Sequence, residues 1–123
     1  MSGFALDYLI RTLVRGARRN SRQQEAEEWK LAQGSIKRFE AQDKGWNDFH
    51  PVISYAYDVN GETNYGVATG FELDRSRADE VAVAVDALGV IWVRYDPSDP
   101  YQNRILNADN PKLPFEVDLA EGS

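Results

Sequence analysis

Pro51-Val-Ile-Ser-Tyr-Ala-Tyr-Asp-Val-Asn-Gly-Glu-Thr-Asn-Tyr65 alternates apolar and polar residues on either side of an Asn-Gly pair. Period-two alternation interrupted by that dipeptide marks a β-hairpin. Two registers compete. A two-residue Asn60-Gly61 turn pairs Val59 with Glu62 and Tyr57 with Asn64, mixing apolar and polar residues on each face. A three-residue loop with Gly61 left-handed and a G1 bulge pairs Asp58 with Glu62, Tyr57 with Thr63, Tyr55 with Tyr65 and Ile53 with Val67. That second register gathers aromatic and branched residues on one face. Because a one-residue slip flips every side chain, the hydrophobic pattern favours the bulged turn, at the small cost of opposing Asp58 to Glu62.

Outward from the hairpin, the next strong segment is Gly89-Val-Ile-Trp-Val-Arg-Tyr-Asp-Pro-Ser-Asp-Pro100, a strand over Val90–Tyr95 closed by a Pro-stiffened turn. Between them, Ser76 to Gly89 reads as a helix, with Ser76 as N-cap, Asp79 and Glu80 in its first turn, Gly89 as the stop, and Val81, Val85 and Leu88 facing inward. Gly34 to Ala41 reads as a first strand, 42–49 as a loop pinned by Trp46 and Phe49, and Ile105-Leu106 as a short further strand. In Leu113-Pro-Phe-Glu-Val-Asp-Leu119, Leu113, Phe115, Val117 and Leu119 alternate with Pro114, Glu116 and Asp118, the pattern of a half-buried edge strand with Pro114 on its unpaired side. The N-terminal segment differs. Leu6, Leu9, Ile10, Leu13, Val14 and Ala17 follow helical spacing over 4–19, with Arg11, Arg15, Arg18, Arg19 and Arg22 opposite them. Past Asn20 the stripe loses phase, and Ser21 with Gln24 forms a capping box that restarts a helix through Trp29. The expected architecture is α+β in a single domain of 123 residues: a helical N-terminal segment over 1–30, a kinked helix or a helix pair, and a β-rich part over 31–120. The β-rich part is a mostly antiparallel barrel or sandwich of five to six strands with one inserted helix.

Charge narrows the function. The net charge is −6 overall, yet residues 1–22 carry five Arg against Asp7 alone, a net of +4, and residues 23–123 carry nine Lys/Arg against nineteen Asp/Glu, a net of −10. An acidic body repels phosphate backbones, so nucleic acid is not an expected partner. The basic helix instead suits the β-rich part itself, a second copy in a homodimer, or an anionic membrane surface. No segment approaches the roughly 20 apolar residues of a membrane span, and residues 4–14 lack the pattern of a signal peptide. The expected setting is cytoplasmic, with peripheral membrane contact as an option. With no Cys and one His, disulfides, thiolate sites and paired-imidazole sites are excluded within one chain.

The order and spacing of these elements resemble the bacterial family catalogued as domain of unknown function 3592. Its members show a Trp, a Gly-x-Ile strand, a Pro-x-(Val/Ile)-x-Tyr-x-Tyr-x-Val-x-Gly-x-x-Tyr hairpin, a helix, then Gly-x-x-Val-x-Tyr-Asp-Pro-x-x-Pro and a closing Leu. The corresponding residues are Trp29, Gly34 and Ile36; Pro51, Ile53, Tyr55, Tyr57, Val59, Gly61 and Tyr65; then Gly89, Val93, Tyr95, Asp96, Pro97, Pro100 and Leu106, with Tyr65 and Val93 each one residue beyond the pattern's spacing from the preceding Gly, so the resemblance covers about residues 29–106. It implies a compact barrel-like or sandwich-like domain, usually tied to membrane helices, and no catalytic residues. The chain departs from the pattern in carrying a basic amphipathic helix where a span is common.

Candidate chemistry is sparse. His50 at a strand entrance, with Asp48 beside it, is the one candidate general base, and a small hydrolase built on His50 and a nearby carboxylate is the alternative function. Asp96, Asp99 and Asp109 offer oxygen ligands but no calcium-loop pattern, and Asx and Pro turns account for the first two. Glu25, Glu27 and Glu28 suit a helix start, and Tyr55, Tyr57, Tyr65, Tyr95 and Trp92 suit a core face better than a stacking platform. No phosphate loop or nucleophile elbow is present, and no cofactor or metal set is expected. An acidic inhibitor mimicking a polyanion would need its carboxylates on one face. The main expectation is a non-catalytic interaction module for a protein partner, a homodimer or a membrane, working through Arg11, Arg15, Arg18, Arg19 and Arg22 and through a sheet edge at Leu113, Phe115 and Val117.

Overall fold

The computed structural model describes residues 21–120. Residues 21–27 are helical (α1), and Ser21 already lies within the helix. The 4–19 stripe, Arg11, Arg15, Arg18, Arg19 and the expected break at Asn20 lie outside the described residues. Five strands follow: β1 (Lys30–Asp43), β2 (Phe49–Val59), β3 (Glu62–Thr69), β4 (Val90–Asp96) and β5 (Asp99–Arg104), with helix α2 (Arg75–Leu88) between β3 and β4. They form one antiparallel sheet in the order β3-β2-β1-β4-β5. The sheet curls until its outer strands β3 and β5 touch, giving a nearly closed barrel. The α+β expectation holds at this level.

The interior is built from Ile53, Tyr55, Tyr57 and Val59 of β2, Ile91 and Val93 of β4, and Val81 and Val85 of α2. β1 contributes on both sides of a bulge. Register shifts between Ile36 and Arg38, so Ile36 faces Tyr55 while Phe39 faces Ile53, and both side chains reach the core despite their odd spacing. α2 starts two residues earlier than its composition suggests. Asp74, not Ser76, is the N-cap, accepting from the Arg77 N–H at 2.8 Å, and Asp79 and Glu80 fall beyond the first turn. Gly89 closes the helix as expected, with φ 68° and its N–H on Val85 O.

The hairpin takes the register that face-sorting disfavours. Val59 pairs with Glu62, Tyr57 with Asn64, Tyr55 with Gly66 and Ile53 with Ala68. Asn60 and Gly61 both have positive φ, 53° and 83°, the type I′ turn whose twist suits the flanking strands. The reason lies in curvature. Inside a small barrel the Tyr55 and Tyr57 rings already fill the space across the strand, so their partners must be short. A Cβ on Gly66 would sit 2.5 Å from the Tyr55 ring. Tyr65 and Val67 consequently point to solvent, 72% and 56% exposed.

Three further expectations are corrected. Trp46 does not pin its loop: it is fully exposed, and Phe49 alone is buried. Ile105 and Leu106 are buried but follow the end of β5 rather than forming a strand. Leu113–Leu119 is no edge strand. It makes one bridge, Gly70 to Val117, and inserts Leu113, Phe115 and Val117 into the core. Alternation there reports which side chains are buried, while the backbone meets the end of β3 only around that bridge, through the Asp118 N–H on Thr69 O at 2.8 Å and the Phe71 N–H on Glu116 O at 3.2 Å, and is otherwise held by a side chain. The Asn107 amide takes the Val117 N–H and gives to Phe115 O, each at 2.9 Å.

Asn110 plays the same part for β4. β5 ends at Arg104, which pairs with Arg94, so Trp92 has no strand neighbour on that side. The buried Asn110 side chain supplies one: Oδ1 accepts from the Trp92 N–H at 2.8 Å, and Nδ2 donates to Trp92 O and Leu106 O, both at 3.0 Å. Arg94 locks the corner, forking onto both oxygens of Asp109 at 2.9 Å and reaching Trp29 O at 3.0 Å.

Candidate functional site

The β3–β5 seam is the most exposed apolar feature of the sheet. The register turns the backbone groups of Thr63, Tyr65, Val67 and Thr69 away from β2 and toward the β5 side, since the alternate residues of β3 face β2. Two of those groups have identified partners. Tyr65 O accepts from Asn103 Nδ2 at 3.5 Å, and Thr69 O from the Asp118 N–H at 2.8 Å. Asn103 spans the gap, since its Oδ1 also accepts the Tyr55 hydroxyl. Burial pushes the Tyr55 hydroxyl well above the ordinary tyrosine range, with the neighbouring Tyr57 adding to the shift, so it serves as a neutral donor. Around Asn103 runs a groove of about 330 Å³, walled by Tyr65, Val67, Tyr101 and Arg104 and lined by no carboxylate. Tyr101 is 73% exposed. The Arg104 guanidinium lies over the Trp29 ring at 4.7 Å and donates to Arg22 O at 2.9 Å.

A second cluster forms where β2 begins. Phe49 and Leu73 exchange backbone hydrogen bonds of 2.9 and 2.7 Å. Their side chains point inward, so Asp48, His50 and Glu72 emerge together on the opposite face. The three offer ligand atoms within 4.8 Å of one another. His50 Nδ1 lies 3.2 Å from Gly70 O and Nε2 lies 3.3 Å from Asp48 Oδ1. The larger grooves lie elsewhere: one of about 540 Å³ beside Leu113–Leu119 and one of about 510 Å³ between β1 and α2. None of these grooves is lined by His50.

The sequence-derived surface is dispersed. Of the basic set, Arg22 is described, and its Nη1 donates to Leu119 O at 2.7 Å. Leu113, Phe115 and Val117 are core residues and present no edge. The 96–99 turn is the Asx turn its residues suggest, Asp96 Oδ1 accepting from the Ser98 N–H at 2.9 Å. The Ser98 hydroxyl, then its N–H, lower the Asp96 carboxyl below its ordinary range. Sequence reasoning paired Asp48 with His50 but missed Glu72, whose approach depends on the Phe49–Leu73 bridge. It also missed the seam, because the bulged register would have turned Tyr65 and Val67 inward. No helix of the described residues is long and apolar enough to cross a membrane. In comparisons with known proteins, no family model, curated protein or solved structure matches the chain.

Proposed function

We propose that this domain is a non-catalytic interaction module that takes an extended segment of a protein partner in the groove at the β3–β5 seam. The observation that carries this reading is the seam itself, an edge strand that presents Tyr65 and Val67 outward beside Tyr101. Edge strands are ordinarily blunted by Lys, Pro or charge, and this one carries apolar side chains at the period an added strand would match. A net charge of −10 over residues 23–123 sets two copies against each other, which favours a foreign segment over self-pairing. The groove has no carboxylate, so the expected segment is apolar and alternating rather than basic. Membership of family 3592 and a cytoplasmic setting belong to the same proposal.

The test is panning of a displayed random-peptide library on the full chain, followed by calorimetry with the enriched peptide. Alternating apolar sequences are expected. Val67→Lys should weaken binding by about tenfold or more, equivalent to about 1.4 kcal/mol, with the circular dichroism spectrum unchanged. Absence of enrichment, or binding that ignores Val67→Lys and Tyr101→Ser, sinks the proposal. So does a concentration-dependent dimer that buries the same residues.

A further inference from the structure

The cluster at the start of β2 contains a defect that a cation would repair. We propose that Asp48, His50 and Glu72 bind a divalent transition-metal ion of the zinc class. This inference is independent of the seam.

Gly70 O can only accept a hydrogen bond, so at 3.2 Å it places the ring proton on Nδ1. In the neutral ring Nε2 then carries a lone pair, and it sits 3.3 Å from Asp48 Oδ1. An ionised carboxylate oxygen is also an acceptor. This one is buried from water and receives no hydrogen bond from any described group. The two atoms are close but do not align as donor and acceptor. A pair of lone pairs held at that separation is what two ligands of one ion look like. Bond lengths of about 2.1 Å at a tetrahedral angle put an imidazole nitrogen and a carboxylate oxygen about 3.4 Å apart.

The surroundings fit the same reading. A metal-bound imidazole usually gives its other N–H to a carbonyl, which fixes ring orientation, and Gly70 supplies that contact here. Gly70 is itself fixed by its N–H on Pro51 O at 2.8 Å and by its bridge to Val117. Asp48 and His50 are two residues apart in the chain, and Glu72 stands across from His50, exposed and free to swing onto an ion. Two carboxylates neutralise a divalent charge, and a set of one nitrogen and two oxygens leaves a fourth position for water. One imidazole among so few oxygens suits zinc, cobalt or iron(II) better than calcium, which takes six to eight oxygens. The nearby cation Arg75 is engaged elsewhere, its guanidinium lying 5.2 Å from the Phe49 ring centre.

Calorimetry of the chelator-treated full chain with zinc chloride tests the site, with cobalt(II) absorption as a second readout. Expected are one ion per chain, a cobalt visible band, and a thermal midpoint that rises with zinc by mass action. His50→Gln should abolish binding, and Glu72→Gln, an exposed position safe for folding, should weaken it by about tenfold. Asp48→Asn separates the proposal from a plain ion pair. In chelator, the asparagine N–H can donate to Nε2, so the variant should be at least as stable as the parent. No zinc heat with no cobalt band overturns the proposal. So does a lower midpoint for Asp48→Asn in chelator together with nitrogen NMR shifts showing both ring nitrogens protonated.

Discussion

Replacing Asn110 by Ala should cost this fold about 3 kcal/mol. The side chain makes three hydrogen bonds, two to Trp92 and one to Leu106 O. Each contributes about 1 kcal/mol net, and a buried group left without a partner loses more, about 1–3 kcal/mol. Trp92 is 43% exposed, so water can reach part of its backbone, which keeps the total near the sum of net values rather than the desolvation limit. Urea unfolding followed by tryptophan fluorescence is the assay. With a slope of about 1.5 kcal/mol per molar, the midpoint should fall by about 2 M at unchanged slope. A thermal midpoint lower by about 12 °C should accompany it. A loss below about 1 kcal/mol would refute the claim that one amide stands in for a strand residue beside β4.

Gly66→Ala places a methyl 2.3 Å from Asn103 Oδ1 and 2.5 Å from the Tyr55 ring; the strain should cost about 1–3 kcal/mol by the same assay. Asp109→Asn breaks a charge-assisted fork whose partners are 20% and 13% exposed, and should cost about 2 kcal/mol. Alkaline pH should unfold the protein through its tyrosines. Burial raises the folded-state pKa of Tyr55 and Tyr57, so above about pH 10 the unfolded chain loses protons that the folded chain keeps. Stability is therefore fully present below that pH and falls above it. Tyr55→Phe should flatten that decline, and a urea midpoint independent of pH there would contradict the assignment.

What the sequence discloses follows from how far each signal reaches. Ile53, Tyr55, Tyr57 and Val59 alternate within one segment, and their burial was readable. So were the inserted helix and its Gly89 stop, because caps are local chemistry. The hairpin register was not, since matching large residues with large ones ignores how little room a curled sheet leaves beneath a tyrosine ring. Leu113, Phe115 and Val117 share one buried face as their alternation predicts, yet the backbone of Phe115 and Val117 is held by the Asn107 amide, which carries no periodic pattern. Asp48 and His50 are visible as a pair. Glu72 is not, because a backbone bridge between Phe49 and Leu73 brings it there.

The strand order has a consequence for synthesis. β1, β2 and β3 are sequential neighbours, and so are β4 and β5, but β1 meets β4 only after the intervening strands and α2 have been made. A nascent chain therefore completes a three-stranded meander first and holds one side of β1, from Lys30 to Ser35, open until Val90–Tyr95 arrives. Closing that long connection costs about 3–4 kcal/mol of chain entropy before any contact repays it. The waiting edge reads Lys-Leu-Ala-Gln-Gly-Ser, and its polar and flexible residues protect the half-made sheet from pairing with another chain in the interval.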